Sequence, residues 1–408
     1  MSATPLGVLD LVPVVSGSTA AEALANSIDL ARSTEESGYA RYWFAEHHLN
    51  PGVAGTSPAI VLALTASATS TIRLGSGAVQ LGHRTALSTV EEFGLIDALH
   101  PGRLDLGLGR SAGPPQRRGP VDGVDAGTGA GVGVGEAASA GVGAGAAGGD
   151  PGPAPVPVTP VIGGRTPNGL RIPDRFSFAH LLGHPRVALQ QKLLNLPGAH
   201  PQDYSEQVDD VLALLRGEYR TPEGVEAHAV PGEGADVQVW ILGSSGGVSA
   251  EAAGRNGLRF AANYHVSPAT VLEAAEGYRA AFKPSAELDR PYLTVSADVV
   301  VAQDEETARE LATGYAPWVR GIRTAEGAIP YPTPAEARAL PWSAEDRALV
   351  ADRVETRFVG SPGTVADHLE RLRDATGADE LLITTITHGH ADRVRSYRLL
   401  AEEWQRRA

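Results

Sequence analysis

Strand-forming runs and amphipathic helical stretches alternate without a break through the first 108 residues, and that order leaves few folds open. Residues 6–12 read as a buried strand. Residues 20–38 read as a helix, with Leu24, Ile28, Leu30 and Ala31 near helical spacing and Gly38 closing it. Residues 41–45, 72–80 and 103–108 supply a second, third and fourth strand. The helices between them span 57–69, with Pro58 in the first turn, and 86–99, stopped by Pro101-Gly102. Four βα units in succession predict a parallel sheet, because parallel strands need crossovers that carry the chain back to the same end.

The alternation then breaks. Residues 113–164 are dominated by Gly, Ala, Val and Pro, with no helical or strand period. Such sequence is costly to order and carries little large apolar surface to offset the cost, so a flexible insertion is expected here. The segment 173–182, with Phe176 and Phe178, is the better candidate for a lid over a site. Helices follow at 187–194 and 204–215. Strand five (237–242), a helix (248–255), strand six (258–263), a helix (268–282), strand seven (292–302) and a helix (305–320) come next. A second irregular insertion at 321–342 precedes helices at 346–354 and 364–376, strand eight (380–387) and a closing helix (392–406). Eight strands with helices between them predict an α/β chain folded as a (β/α)8 TIM barrel. A single domain over 1–408 is expected, interrupted by the two insertions.

Charge and composition narrow the function classes. The formal net charge of -14 argues against wrapping nucleic acid or binding an anionic membrane, although a local basic site for a phosphorylated cofactor remains compatible with it. The absence of cysteine removes disulfides, thiolate metal sites and cysteine nucleophiles. No apolar run approaches the roughly 20 residues of a membrane span, and residues 1–6 lack a basic region followed by an apolar core, so a cytoplasmic location is expected.

The chemistry concentrates where strands end, the place where barrel proteins carry their functional side chains. Tyr42-Trp43-Phe44-Ala45 runs straight into Glu46-His47-His48 and then a turn. A carboxylate and two imidazoles closing a buried strand are candidates for acid–base work. Asp10 ends strand one, and a carboxyl in an apolar strand needs a partner or a function. Strand three ends in Gly77-Ala78, small residues that suit either a flat platform for a planar ring or tight barrel packing. Strand four leads to Gly109-Arg110, whose guanidinium is a bidentate fork for phosphate. Strand five ends in Gly243-Ser244-Ser245-Gly246-Gly247 before a helix, which reads equally as a phosphate cradle or a capped turn. Thr384, Thr385, Thr387 and His388 add polar groups at the end of strand eight. No metal site is expected. Successive residues of an extended strand face opposite ways, so His47 and the pair Glu46 and His48 diverge. A third ligand would have to come from Asp10, His83 or His388, and the His-x-His of barrel metallohydrolases is absent from strand one.

Taken together these stretches resemble the bacterial luciferase-like, flavin-dependent monooxygenase family. The resemblance rests on Gly7-Val8-Leu9-Asp10, on residues 38–48, on Ile72-Arg73-Leu74-Gly75-Ser76-Gly77, on residues 97–103 leading to Gly107-Leu108-Gly109-Arg110, and on Trp240-Ile241-Leu242-Gly243-Ser244-Ser245. It implies reduced FMN, or in some branches a deazaflavin, at the C-terminal mouth of the barrel. It places His47 where the family handles flavin–oxygen chemistry, Arg110 and Ser244-Ser245 at the flavin phosphate, and a non-prolyl cis peptide near Gly77-Ala78. It also implies a separate NAD(P)H:flavin reductase, a small organic substrate, and a homodimer. Gly109 stands where some luciferases carry a cysteine, so light emission is not expected. The candidate catalytic set is His47, Glu46 and Asp10; the candidate cofactor set is Gly77, Ala78, Arg110, Gly243, Ser244 and Ser245.

Overall fold

A computed structural model describes residues 4–110, 161–181, 183–199 and 202–408. The strands are β1 Leu6–Asp10, β2 Arg41–Phe44, β3 Arg73–Ser76, β4 Val79–Gln80, β5 Leu104–Gly109, β6 Val237–Gly243, β7 Arg259–Asn263, β8 Leu293–Val301, β9 Phe358–Gly360 and β10 Glu380–Thr384. All pair in parallel in the order β10-β1-β2-β3-β5-β6-β7-β8, and β10 pairs back onto β8 through Glu380↔Thr294 to Thr384↔Asp298. Eight strands thus close a barrel, as the alternation predicts. The two short strands are extensions: β4 continues β3 beyond a break, and β9 lengthens the edge of β8.

The helices are α1 Ala20–Glu36, α2 Pro58–Ala66, α3 Ala86–Asp97, α4 Pro185–Leu194, α5 Tyr204–Arg216, α6 Val248–Arg255, α7 Val271–Ala281, α8 Glu305–Leu311, α9 Tyr315–Arg323, α10 Pro334–Ala339, α11 Ala344–Thr356, α12 Pro362–Thr376 and α13 His390–Arg407. Their starts follow ordinary capping chemistry. Thr19 and Glu22 form a reciprocal box at α1, as do Thr333 and Glu336 at α10.

Side-chain alternation along the strands sorts the core into two layers. Val8, Tyr42, Phe44, Leu74, Leu106, Val239, Phe260 and Val295 face the helices. Leu9, Trp43, Ala45, Trp240, Leu242, Ala261 and Leu382 face the barrel axis and continue into Tyr315, Trp318 and Ile322 of α9. At the N-terminal end the axis is closed by charge. Arg41 donates to Asp105 at 2.5 Å and to Glu380 at 2.6 Å; Arg73 and the Trp43 indole donate to Asp105 at 2.8 and 2.9 Å, and Tyr292 to Glu380 at 3.1 Å. Arg41 also stacks over Trp240, 4.7 Å from the ring centre.

Four boundaries differ from the expectation, each for a local reason. Strand one stops at Asp10 because Val12 takes a positive φ of 55° and donates its amide to the Asp10 carboxylate. Strand three is two pieces, since the Gly77–Ala78 peptide is cis. The helix expected over 305–320 is split into α8 and α9 at Thr313-Gly314. The 321–342 segment is less irregular than expected. It begins inside α9, contains α10, and threads Tyr331 between the loops that follow β1 and β2: Tyr331 bridges Val15, donating to the Val14 carbonyl and accepting from the Ser16 amide at 2.9 Å each, and Gly52 donates to Ala328 at 2.7 Å. A Cβ at Gly52 would sit 1.8 Å from the Ile329 carbonyl, so this crossing requires glycine. The insertion expected at 113–164 lies outside the described residues except for its last four, which enter a turn closed by Ile162 and Arg165. No helix among the described residues is long and apolar enough to cross a membrane.

Candidate active site

The C-terminal mouth gathers most of the expected residues. On β2 the inward series Trp43, Ala45 continues to His47, which is buried, and whose Nδ1 has no hydrogen-bond partner among the described residues. Burial, together with the neighbouring His48, pushes its pKa down to about 4, against the opposing pull of Glu46. His47 is therefore a neutral imidazole at pH 7 with a ring nitrogen that no described residue claims.

Glu46 points the other way and organises its surroundings. His48 Nε2 and His83 Nε2 lie 3.0 and 3.1 Å from its Oε1, and Arg84 Nη2 donates to the same oxygen at 3.0 Å. The Gln80 amide donates to Oε2 at 2.9 Å, and the Gln80 side chain donates to the Glu46 carbonyl at 2.6 Å. Burial opposes the charge, but the His48 and His83 hydrogen bonds, Arg84 and the Gln80 amide hold the carboxyl well below its usual range. Glu46 thus fastens the end of β2 to β4 and the turn after it. Its donor atoms and those of His48 and His83 lie within 4.8 Å of one another, a two-imidazole, one-carboxylate set. Arg84 already supplies positive charge to that carboxylate, and Arg84 is itself paired with Glu92 at 3.2 Å. The cluster is a charge-matched fastening.

Asp10 is not brought together with His47. With Val8 it faces the helix layer, where Arg393 of α13 donates to Oδ1 at 2.6 Å, Val12 N donates at 2.8 Å and the Tyr42 hydroxyl donates to Oδ2. Burial raises its pKa, but the Arg393 charge and hydrogen bonds from Arg393, Ser27 and Tyr42 hold it below the ordinary value. Its work is to hold the turn after β1. His388 likewise turns to the Ser16 carbonyl, 3.0 Å away.

The expected cofactor residues share one side of the mouth. Gly109 of β5 is in register with Leu242 of β6, so Arg110 and Gly243 leave neighbouring strand ends together. Ser244 and Ser245 are half-buried, and Gly247, the N-cap of α6, offers no side chain to cap it. Uncapped N-terminal amides beside an arginine suit a phosphate dianion. The break at Gly77–Ala78 lies on the same rim: Gly77 packs against Leu9 and Trp43, and Ala78 borders the inner apolar cluster. The segment expected as a lid packs against α9 instead of standing free. Arg323 lies 3.7 Å over the Phe176 ring, His180 Nε2 is 2.7 Å from the Arg323 carbonyl, and Phe178 joins Leu181, Val187 and Ala325.

Several mouth residues escape sequence reading. His265 follows β7 and reaches Ser296 of β8. Asp298 binds Tyr315 and, at 3.3 Å, Arg353 of α11. The signal for His265 was available, since Asn263-Tyr264-His265 closes a strand just as Glu46-His47 does. Arg353 carries no local signal, because the carboxylate it reaches, Asp298, lies 55 positions earlier on β8.

The family model described as luciferase-like monooxygenase matches residues 4–128 and 205–380. A Bacillus subtilis protein, YvbT, is 33% identical over 99% of this chain and 98% of its own length. An Escherichia coli K12 protein named luciferase-like monooxygenase is 30% identical over 96% of this chain and 94% of its own. Among solved structures, apo-MsnO8 covers 99% of this chain and 98% of its own, with 27% identity and a TM-score of 0.71. The oxygenating constituent of 3,6-diketocamphane monooxygenase, solved with FMN, shares the fold at 16% identity and a TM-score of 0.60, covering 98% of each chain. Fold, matched segments and relatives together show that this chain belongs to the luciferase-like monooxygenase family and is an oxidoreductase that incorporates molecular oxygen.

Proposed function

We propose that the chain is a monooxygenase that takes reduced FMN and dioxygen and oxidises a small organic substrate. The observation that carries the reading is His47: a neutral, buried imidazole with an unclaimed Nδ1, set at the mouth between the Gly77–Ala78 step and the second insertion. When bound, reduced flavin supplies the electrons and the site of oxygen activation. The protein does the rest. Arg110, with the Ser244-Ser245 loop and the α6 amides, would hold the phosphate, while Gly77 and Ala78 would leave room for the ring. His47, unprotonated, is free to accept or return a proton at Nδ1. Glu46 keeps His47 in place through the backbone it fastens, and α9 with Phe176 and Phe178 excludes water from above.

Reduced flavin is proposed to arrive from a separate NAD(P)H:flavin reductase. The working unit is proposed to be a homodimer. Its support is the exposure of several large apolar side chains on α2 and α3, namely Ile60, Leu64, Leu87 and Leu95, with Leu99 just past α3. Exposed apolar surface of this kind suits an association site.

The test is a titration of the apo-protein with reduced FMN, oxidised FMN and a reduced deazaflavin, followed by absorbance and fluorescence. Tight binding of reduced FMN, weakened when riboflavin replaces it, is the expected result. Preference for the deazaflavin would redirect the reading to hydride transfer, and binding of none would overturn it.

A further inference from the structure

β7 delivers a second imidazole to the chamber. Along that strand Arg259 and Ala261 face Trp240 and the inner cluster, whereas Phe260 and Ala262 join the outer core. Asn263 and His265 continue the inner series past the strand end. On β8 the inner series is Thr294, Ser296 and Asp298, and Ser296 Oγ lies 2.6 Å from His265 Nδ1. Ser296 is buried, and its hydroxyl has no other hydrogen-bond partner among the described residues.

That pairing decides where the ring proton sits. A buried hydroxyl with one neighbour satisfies itself by donating to it. His265 Nδ1 then accepts, and the neutral ring must carry its proton on Nε2. The ring also stays neutral. Burial, the Arg353 guanidinium and His47 all resist a second positive charge there. Arg353 pairs with Asp298, which also accepts from Tyr315, and Arg357 stands 4.8 Å over the same Tyr315 ring. An oxygen acceptor entering on this side would find an N–H.

We propose that His265, held as its Nε2–H tautomer by Ser296, is the hydrogen-bond donor of the chamber and that the substrate presents a carbonyl or amide oxygen to it. The assignment rests on reading the mouth as the reaction chamber of a flavin monooxygenase. His47, with an unclaimed nitrogen, and His265, with a fixed donor, then divide the work between proton acceptance and substrate orientation.

The experiment is nitrogen–proton correlation NMR on apo-protein carrying 15N-histidine, with resonances assigned through His265→Leu. The expected result at pH 7 is an Nε2–H preference of about tenfold, the size a hydrogen bond of typical net strength gives. Ser296→Ala, which keeps the ring and removes one oxygen, should lower that preference several-fold. Saturating acetamide, a small neutral acceptor, should then move the His265 Nε2 resonance in the wild type. A protonated ring, an Nδ1–H tautomer, a preference unchanged in Ser296→Ala, or no response to acetamide would each overturn the assignment. Should His265→Leu not fold, Ser296→Ala still reads the tautomer, and the missing resonance is assigned by difference from His47→Gln and the other histidine variants. The flavin titration is scored separately. Reduced FMN binding with the wrong tautomer defeats this inference alone, and the expected tautomer without flavin binding defeats only the function.

Discussion

Replacing Arg393 by Met should destabilise the protein by leaving the Asp10 carboxylate charged and unpaired in a dry layer. Arg393 Nη2 sits 2.6 Å from Asp10 Oδ1, and both side chains are buried. At that separation and an effective dielectric of 20 the attraction is about 6 kcal/mol, offset in part by the desolvation of both ions. Loss of one partner from such a pair costs about 3–5 kcal/mol, which at roughly 2 °C per kcal/mol lowers the melting temperature by about 6–10 °C. Asp10→Asn/Arg393→Met, which removes both charges, should recover much of the loss. The sign with pH follows. In the wild type the Asp10 pKa is lowered, so its contribution is full above the ordinary carboxylate value and fades as pH falls through the lower folded value. Without Arg393, burial raises that pKa instead, so the penalty in Arg393→Met should shrink as the solution is acidified. Thermal melts of the wild type, both single variants and the double variant between pH 7 and 4 test this. A neutral Arg393→Met, or a double variant losing the sum of the two singles, would refute the argument.

Other consequences are as concrete. Oxygen coupling should be flat from pH 7 to 5 and fall only near pH 4, where His47 gains its proton; an acid limb near 6.5 would mean that His47 is not the titrating base. His47→Ala should bind flavin normally but release hydrogen peroxide in place of product, measured by peroxide assay during turnover. Arg110→Ala should weaken FMN by roughly tenfold or more, as expected for a lost charged hydrogen bond, and riboflavin hardly at all. Leu64→Glu/Leu95→Glu should shift the light-scattering mass from two chains to one without lowering the monomer's helix content.

The barrel was legible because a parallel sheet is written in local patterns. Each strand is a short apolar run and each helix a periodic one, and Gly or Pro marks their ends. The rim was legible in part for the same reason, since His47, Gly77, Ala78, Arg110 and Ser244-Ser245 all sit at strand ends. What the sequence could not show was orientation across long separations. Asp10 looked like a lone carboxylate in an apolar strand; its cation, Arg393, lies 383 positions away on the last helix. His83 lay in plain view, yet only the chain reversal after β4 carries it to Glu46. Tyr331 comes from a segment whose irregular sequence hides how closely it is pinned, and Arg353 sits on an expected helix whose partner, Asp298, lies 55 positions earlier. The split between α8 and α9 was missed because Thr313-Gly314 weakens a helical run without breaking its period.

The ion-paired floor formed by Arg41, Asp105, Glu380 and Arg73 bears on kinetics. With its lower end plugged among the described residues, the barrel is reached from its C-terminal mouth. What settles deepest must arrive first and depart last. Traffic through that mouth imposes an ordered sequence on binding, and a product still seated near α9 will block both the next flavin and the escape of the spent one. Steady-state inhibition by product should therefore be strongest against whichever partner binds second, and turnover should be paced by departure at the rim.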